Sequence, residues 1–431
     1  MISLSNLIKG IQQWKRKPYF GFIQGHTHLS KMDLIKIKNL VGRLDDKLIK
    51  EYENCFAAVI GNGYAVSFAA ARMGFYALMK VLDVKPGEEI VLQGSTCSVM
   101  VNAIKRIGAK AVFADIDPDT FGSTAGKIAD VINDKTRMIV AQHSFGLPCK
   151  IKPIVKLARS KGIFLLEDCA LSLGSKYNNI TVGNFGDAAI FSTDHSKPLN
   201  TIAGGLVYTL DRGLHTKILS VQDRAEELPL WQHKALWKRL IFEREYCRPS
   251  KYGKMKIMKG IKDRLNIQKN TFLEDDYGSS ISVNNPYPTR FPAFLASLGL
   301  IELSRWPVVA QSRKELLERL VASAKSIGKK HHLPNGYMDL NSDIIPLRLA
   351  WSQEQGKALR KKLFRYVDVE WTWFMQPIVA TNEPLEQYGY KWESCPNSEL
   401  VGPNMINLPC NIDPKWSNQL NKIYKKLYSK N

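Results

Sequence analysis

Paired cysteines and acidic residues are what this 431-residue chain has little of. Seven cysteines stand at Cys55, Cys97, Cys149, Cys169, Cys247, Cys395 and Cys410. None forms a Cys-x-x-Cys pair, and the odd count argues against a disulfide framework, which points to a reducing, cytoplasmic setting. No His, Cys and Asp spacing suggests a zinc site, so no metal is expected. There are no internal repeats and no low-complexity linker. The first twenty residues carry Lys9, Lys15, Arg16 and Lys17 but no long apolar core, so neither a signal peptide nor a membrane span is expected there. A weakly amphipathic helix over Ser5–Trp14 can pack on its own domain, a partner or a membrane surface.

The acidic deficit leaves a formal charge of +21, from 61 Lys and Arg against 40 Asp and Glu. Such a balance suits an anionic partner, whether phosphorylated small molecule, nucleic acid or membrane surface, or simply a lysine-rich exterior. The length fits one large and one small domain, and 45% hydrophobic residues suffice for a substantial interior. We expect an arm over 1–44, a large domain over 45–307 and a smaller α+β domain over 308–431.

Within the large domain, helical and apolar strand patterns alternate. Helices are predicted over Arg72–Leu82, Val99–Ile107 and Ile154–Ser160. Strands are predicted at Ile90–Leu92, Ala111–Ala114, Met138–Ala141, Ile163–Leu166, Ala188–Phe191 and Gly205–Tyr208. Continuous apolar strands alternating with helices imply a mostly parallel sheet covered on both faces, an α/β fold. Ligands of such sheets bind beyond the carboxyl ends of the strands. That rule brings Gln93–Cys97, His143–Pro148, Asp168 and Ser192–Lys197 around one crevice. Residues 211–285 form a basic, aromatic-rich and poorly periodic insertion, including Trp231, Trp237, Arg239, Lys256, Lys259 and Lys262. No nucleic-acid module accompanies it, so a helical excursion lining the site or touching a membrane is the better reading.

A lysine downstream of a carboxylate at a strand end suits pyridoxal phosphate. The amine of Lys197 would form a Schiff base with the cofactor aldehyde, and Asp168 would keep the pyridinium nitrogen protonated. His195 and His143 are further candidates, as acid/base groups or as turn and strand-end residues.

At these residues the chain resembles the nucleotide-sugar aminotransferases of the DegT/StrS group, fold type I pyridoxal-phosphate enzymes. The matching pieces run in order: Lys85-Pro86-Gly87-Glu88-Glu89-Ile90, Asp115-Ile116-Asp117-Pro118, His143–Pro148, Glu167-Asp168-Cys169-Ala170, Gly183–Ala188, Phe191–Lys197, Gly204-Gly205, Cys395-Pro396-Asn397-Ser398-Glu399 and Asn407-Leu408-Pro409. The resemblance implies that Lys197 is the Schiff-base lysine and proton shuttle, and that Asp168 bonds the pyridine nitrogen. It implies that Ser192 holds the phosphate with Ala71 and Arg72 at a helix start. Cys97 lies where the group has a stacking aromatic, Leu171 where Gln or His reaches the ring hydroxyl, and Ala203 where Glu stands. Asp194 and His195 also depart from the pattern. The resemblance further implies transfer of an amine from glutamate to a keto sugar, expected to be nucleotide-linked, by a homodimer with shared active sites. Such chemistry supplies amino sugars for surface polysaccharide or secondary metabolites. The alternatives are a sugar dehydratase or lyase, whose relatives carry His where Lys197 stands, and a non-catalytic regulator keeping the fold.

Overall fold

The computed structural model describes residues 18–264, 278–280 and 286–428. The helix expected over Ser5–Trp14 and the side chains of Lys259 and Lys262 lie outside these residues. Seven strands build the central sheet: β1 (Tyr64–Phe68), β2 (Glu89–Gln93), β3 (Lys110–Ala114), β4 (Thr136–Gln142), β5 (Phe164–Asp168), β6 (Ala188–Ser192) and β7 (Gly205–Thr209). Their spatial order is β1-β7-β6-β5-β4-β2-β3. β7 runs antiparallel to both neighbours, and all other pairs are parallel. The predicted strands are all present, and β1 adds one that the apolar pattern did not announce.

Nearly every residue of β2, β4, β5, β6 and β7 is buried, so their apolar runs cannot sit on a one-faced sheet. Helices α1 (Lys31–Asn39), α2 (Asp46–Ile60), α3 (Ala71–Val81), α4 (Ser98–Arg106) and α5 (Ile151–Lys161) pack around it. α1 opens on a reciprocal cap: the Asp33 amide donates to the Ser30 hydroxyl, and the Ser30 amide donates to the Asp33 carboxylate. The core joins Phe56 and Ile60 of α2 to Phe68, Phe75, Leu78, Ile90, Leu166 and Leu206.

The insertion is helical: α6 (Arg212–Asp223), α7 (Leu230–Tyr246) and α8 (Tyr252–Arg264). The following helix, α9, runs over Ala293–Ser326 and contains Pro307. It therefore crosses the boundary expected at 307. Its length and apolarity meet the criteria for a membrane span, but Phe294, Leu295, Leu298 and Leu303 are core residues. A second apolar cluster joins Leu316 and Leu320 of α9 to Leu349 and Trp351 of β8 (Arg348–Ser352), Ile406 and Leu408 of β9 (Met405–Pro409), and Leu420 and Tyr424 of α10 (Ser417–Tyr428).

Late segments return to the strand ends. Thr96–Cys97 pairs in parallel with Ile378–Val379. The Asp115 carboxylate accepts the amides of Asn397 and Ser398, tying the turn after β3 to the start of the short helix Pro396–Val401. Two sequence motifs, Asp115–Pro118 and Cys395–Glu399, thus meet in space as cap and helix start.

Gly205 shows how tightly the site end is packed. A Cβ there would lie 2.3 Å from Ala71 Cα and 2.4 Å from Ala71 N, both backbone atoms that cannot swing aside. Gly205→Ala is expected to destabilise the fold by ~1–3 kcal/mol or more through overpacking. Denaturant unfolding at constant m-value checks this, and an unchanged midpoint would mean that strand and helix separate freely.

Candidate active site

The parallel strand ends are knit by side-chain amides and hydroxyls. Gln142 Nε2 donates to the Ser95 carbonyl at 3.1 Å and to Ser144 Oγ at 2.9 Å. Gln93 Nε2 donates to the Phe121 carbonyl at 2.9 Å, and the His143 amide donates to the Asp168 carbonyl at 3.0 Å. Glu167 has no solvent exposure and accepts from His143 Nε2 at 3.0 Å and from the amides of Gly183, Phe185 and Gly186 at 2.7–2.8 Å. His143 Nδ1 accepts the Cys149 amide at 3.1 Å, which puts the ring proton on Nε2. His143 is therefore a strand-end strut with both nitrogens engaged.

Asp168 ends β5 and is buried; its Oδ1 accepts the Ala170 amide at 2.9 Å. Burial raises its pKa, opposed by that amide and by Lys197. Lys197 follows β6 in a turn closed by its own amide on the Asp194 carbonyl, and its side chain is 8% exposed. Burial lowers its pKa, opposed by Cys97, Asp194 and Asp168, so the nucleophilic neutral amine is favoured. Cys97 lies within electrostatic reach of Lys197, Arg72 and Asp168, and burial raises its thiol pKa.

Ser192, at the end of β6, lies opposite Gly205 in the β7 register, and Gly205 abuts Ala71 at the start of α3. The residue before that helix is Ala70, which offers no side-chain cap. Gly205 thus brings Ser192 beside the uncapped helix start at Ala71, with Arg72 next along the chain, an arrangement suited to an anion. Arg72 is buried. Leu171 packs with Phe145, Leu347 and Phe374, and Trp373 lies against the same cluster. Ala203 is buried, and its carbonyl accepts the Thr201 hydroxyl at 2.7 Å, so the position serves the turn.

The sequence pattern did not announce four contributors from distant segments. The Trp373 ring lies 4.4 Å from Lys197 Nζ, centroid to nitrogen. Arg348 of β8, 1% exposed, sits between Phe22 and Trp373 at 4.3 and 5.2 Å. It donates to the Trp371 carbonyl and to Asn407 Oδ1, and burial lowers its pKa to about 9. Asn407, inside the Asn407–Pro409 motif, also accepts the Trp373 amide at 2.7 Å.

Glu243 of α7 is the fourth. Fully buried, it accepts from Arg239 Nε at 2.6 Å and Asn200 Nδ2 at 3.2 Å and meets His195 Nδ1 at 3.1 Å. Burial alone would raise its pKa, but His195 and Arg239 bring it down to about 2. One carboxylate of the insertion therefore brackets the Lys197 turn on both sides, and His195 serves that bracket.

Residues 41–240 match the profile of the DegT/DnrJ/EryC1/StrS aminotransferase family. The chain resembles that family over this segment. It is 34% identical over 193 residues to a GDP-perosamine synthase of Escherichia coli O157:H7, covering 45% of this chain and 52% of that protein. The chain spans about half the length of the curated relatives it matches. Solved structures match more widely. The putative sugar aminotransferase Spr1654 from Streptococcus pneumoniae, in its PMP form, superposes with TM-score 0.69 at 16% identity, over 95% of this chain and 98% of that one. An E. coli GDP-4-keto-6-deoxy-D-mannose-3-dehydratase with bound hydrated PLP gives 0.68 at 17% identity, over 95% and 100%. The fold is thus one shared by a putative sugar aminotransferase and a dehydratase alike.

Substitutions at two positions test the lysine turn. Removal of Glu243 takes the carboxylate from Arg239 and His195 and leaves Asn200 Nδ2 with only the Gln24 carbonyl, so Glu243→Ala should destabilise by about 1–3 kcal/mol. Hydrogen exchange should then quicken over 193–201, whereas Glu243→Gln retains more protection. For Lys197, the unfolded chain holds its proton more tightly than the folded chain. Stability of the cofactor-free protein should rise with pH towards the ordinary lysine value of 10.5. Lys197→Met should therefore raise the thermal midpoint at neutral pH, by an increment that shrinks as pH approaches that value. An increment independent of pH would place the amine in solvent.

Proposed function

We propose that the chain is a pyridoxal-phosphate-dependent sugar aminotransferase, carried by the buried Lys197 amine next to the buried Asp168 carboxylate at adjacent strand ends. The residues present fit the cofactor. They offer a nucleophilic amine, a desolvated carboxylate and a separate anion cradle at Ser192, Ala71 and Arg72. When bound, the cofactor supplies an electron sink for the carbon that loses its proton.

The protein's own groups then have distinct tasks. Asp168 would hold the proton on the ring nitrogen of the bound cofactor. Lys197 would carry the proton from the donor amino acid carbon to the cofactor in the first half-reaction and from the cofactor to the acceptor carbon in the second, a role that requires the neutral amine. Cys97 and Leu171 supply apolar faces in place of an aromatic and a hydrogen-bonding group. Trp373 covers the lysine and limits water, and Arg348 faces the same ring from the C-terminal segment. The donor is glutamate and the acceptor a keto sugar linked to a nucleoside diphosphate, whose charge suits a surface of +21. The GDP-perosamine synthase name of one relative supports the nucleotide linkage. We further assign a large cofactor unit over 45–307, a smaller unit over 308–431, a cytoplasmic setting and a homodimer sharing active sites. The lysine itself favours amine transfer over the dehydratase that shares the fold.

Reconstitution with pyridoxal phosphate should give a visible absorption band, and borohydride should fix the label on the peptide containing Lys197. Lys197→Ala should show neither. Asp168→Asn should keep the label yet lose at least ~100-fold in turnover. Glutamate should bleach the band, and keto sugars screened against the bleached protein should restore it. A band that glutamate leaves unchanged would reject transamination, and a colourless protein would reject the cofactor.

A further inference from the structure

Away from the lysine, three metal-ligating side chains meet on the far side of its turn. His26 and His28 lie in the segment before α1, and Glu302 lies on α9, separated from His26 by 276 positions. Both imidazoles address one oxygen: His26 Nδ1 is 2.8 Å and His28 Nε2 2.9 Å from Glu302 Oε1. His26 is 1% exposed. The second contact is short without being aligned as a hydrogen bond, since His28 Nε2 has no hydrogen-bond partner among the described residues. His26 Nε2 also has none. The oxygen has lone pairs for two donors, yet only His26 is aligned to use one, which leaves His28 Nε2 in close contact without a hydrogen bond.

A cation between them removes the conflict. Zinc takes nitrogen at about 2.0–2.1 Å and carboxylate oxygen at about 2.0–2.2 Å, so tetrahedral ligands stand about 3.3 Å apart. The observed contacts need to open by only about 0.5 Å, within reach of side-chain rotation. A small cavity of about 20 Å³ adjoins the group, lined by Gln24, Asn200, Arg313 and Asn411. That is room for one water, which would complete an open fourth position. It would also accept from Arg313, whose Nε and Nη1 have no partner among the described residues. We propose that His26, His28 and Glu302 bind one divalent transition-metal ion, of which Zn²⁺ suits the two-imidazole, one-carboxylate donor set. The site is structural in effect. It clamps the segment before α1 to α9, whose Arg313 donates to the Pro198 carbonyl at 2.7 Å, one residue after Lys197. No spacing within the sequence could show it, because His-x-His supplies two ligands and the third comes from a distant helix.

The test uses the full chain and Zn²⁺ itself, with readouts independent of turnover. After chelator dialysis, calorimetric titration should show about one equivalent of Zn²⁺ bound, and metal analysis after gel filtration should recover it. The bound ion should raise the thermal midpoint. Glu302→Gln and His28→Gln, which keep size and polarity, should each weaken binding on the order of a hundredfold and abolish that thermal response. Absence of bound zinc in the parent chain overturns the proposal, as does binding unchanged in both variants. These outcomes stand whether or not the protein transfers amines.

Discussion

The carboxylate of Glu167 is sealed from water and serves four donors, three of them backbone amides of the loop after β5. A buried charge survives only with such complete satisfaction. Through His143 it joins β4 to β5, and through the amides of Gly183, Phe185 and Gly186 it fixes the approach to β6. Asp168 is its sequence neighbour, so the same contacts that stabilise Glu167 hold the catalytic candidate at the strand end. Position comes first here, and reactivity is built upon it.

Around that frame the charges are treated unequally. Glu167 and Glu243 are fully partnered and hold the backbone. Lys197 and Asp168 are less completely satisfied, and burial pushes both towards their neutral forms. Desolvation costs stability and raises reactivity together, because the charged amine that water would stabilise is the form that cannot attack. Arg348 and Arg313 repeat the pattern on the C-terminal side, where burial lowers them to about 9 and about 10. Each keeps its charge by donating to backbone carbonyls and amide side chains rather than to carboxylates. A positive field therefore persists beside the cleft, and an anionic substrate group is the natural complement.

The sheet and its crevice were legible because they rest on local pattern. Apolar runs of four or five residues bounded by turns are enough to place β2 to β7, and the strand-end rule then gathers Asp168, Ser192 and Lys197. The insertion was less legible for a physical reason. α7 turns Gln232, His233 and Glu243 inward, so polar residues occupy the face that an amphipathic pattern reserves for apolar ones. The domain boundary expected at 307 falls inside α9, because packing on both apolar clusters carries the helix through Pro307. Trp373 and Arg348 carry no local signal. They reach the lysine only through tertiary folding of segments some 150 or more positions away.

α9 makes the two apolar clusters one mechanical unit. Its N-terminal half packs on α2, its C-terminal half on β8 and α10, and between them Glu302 and Arg313 face the segment before α1 and the lysine turn. Arg313 donates to Pro198 on one side and to Asn411 on the other. Any relative movement of the C-terminal elements must therefore pass through a helix that also holds the turn carrying Lys197. Arg348 and Lys197 thus meet the same Trp373 ring from segments that this helix ties together.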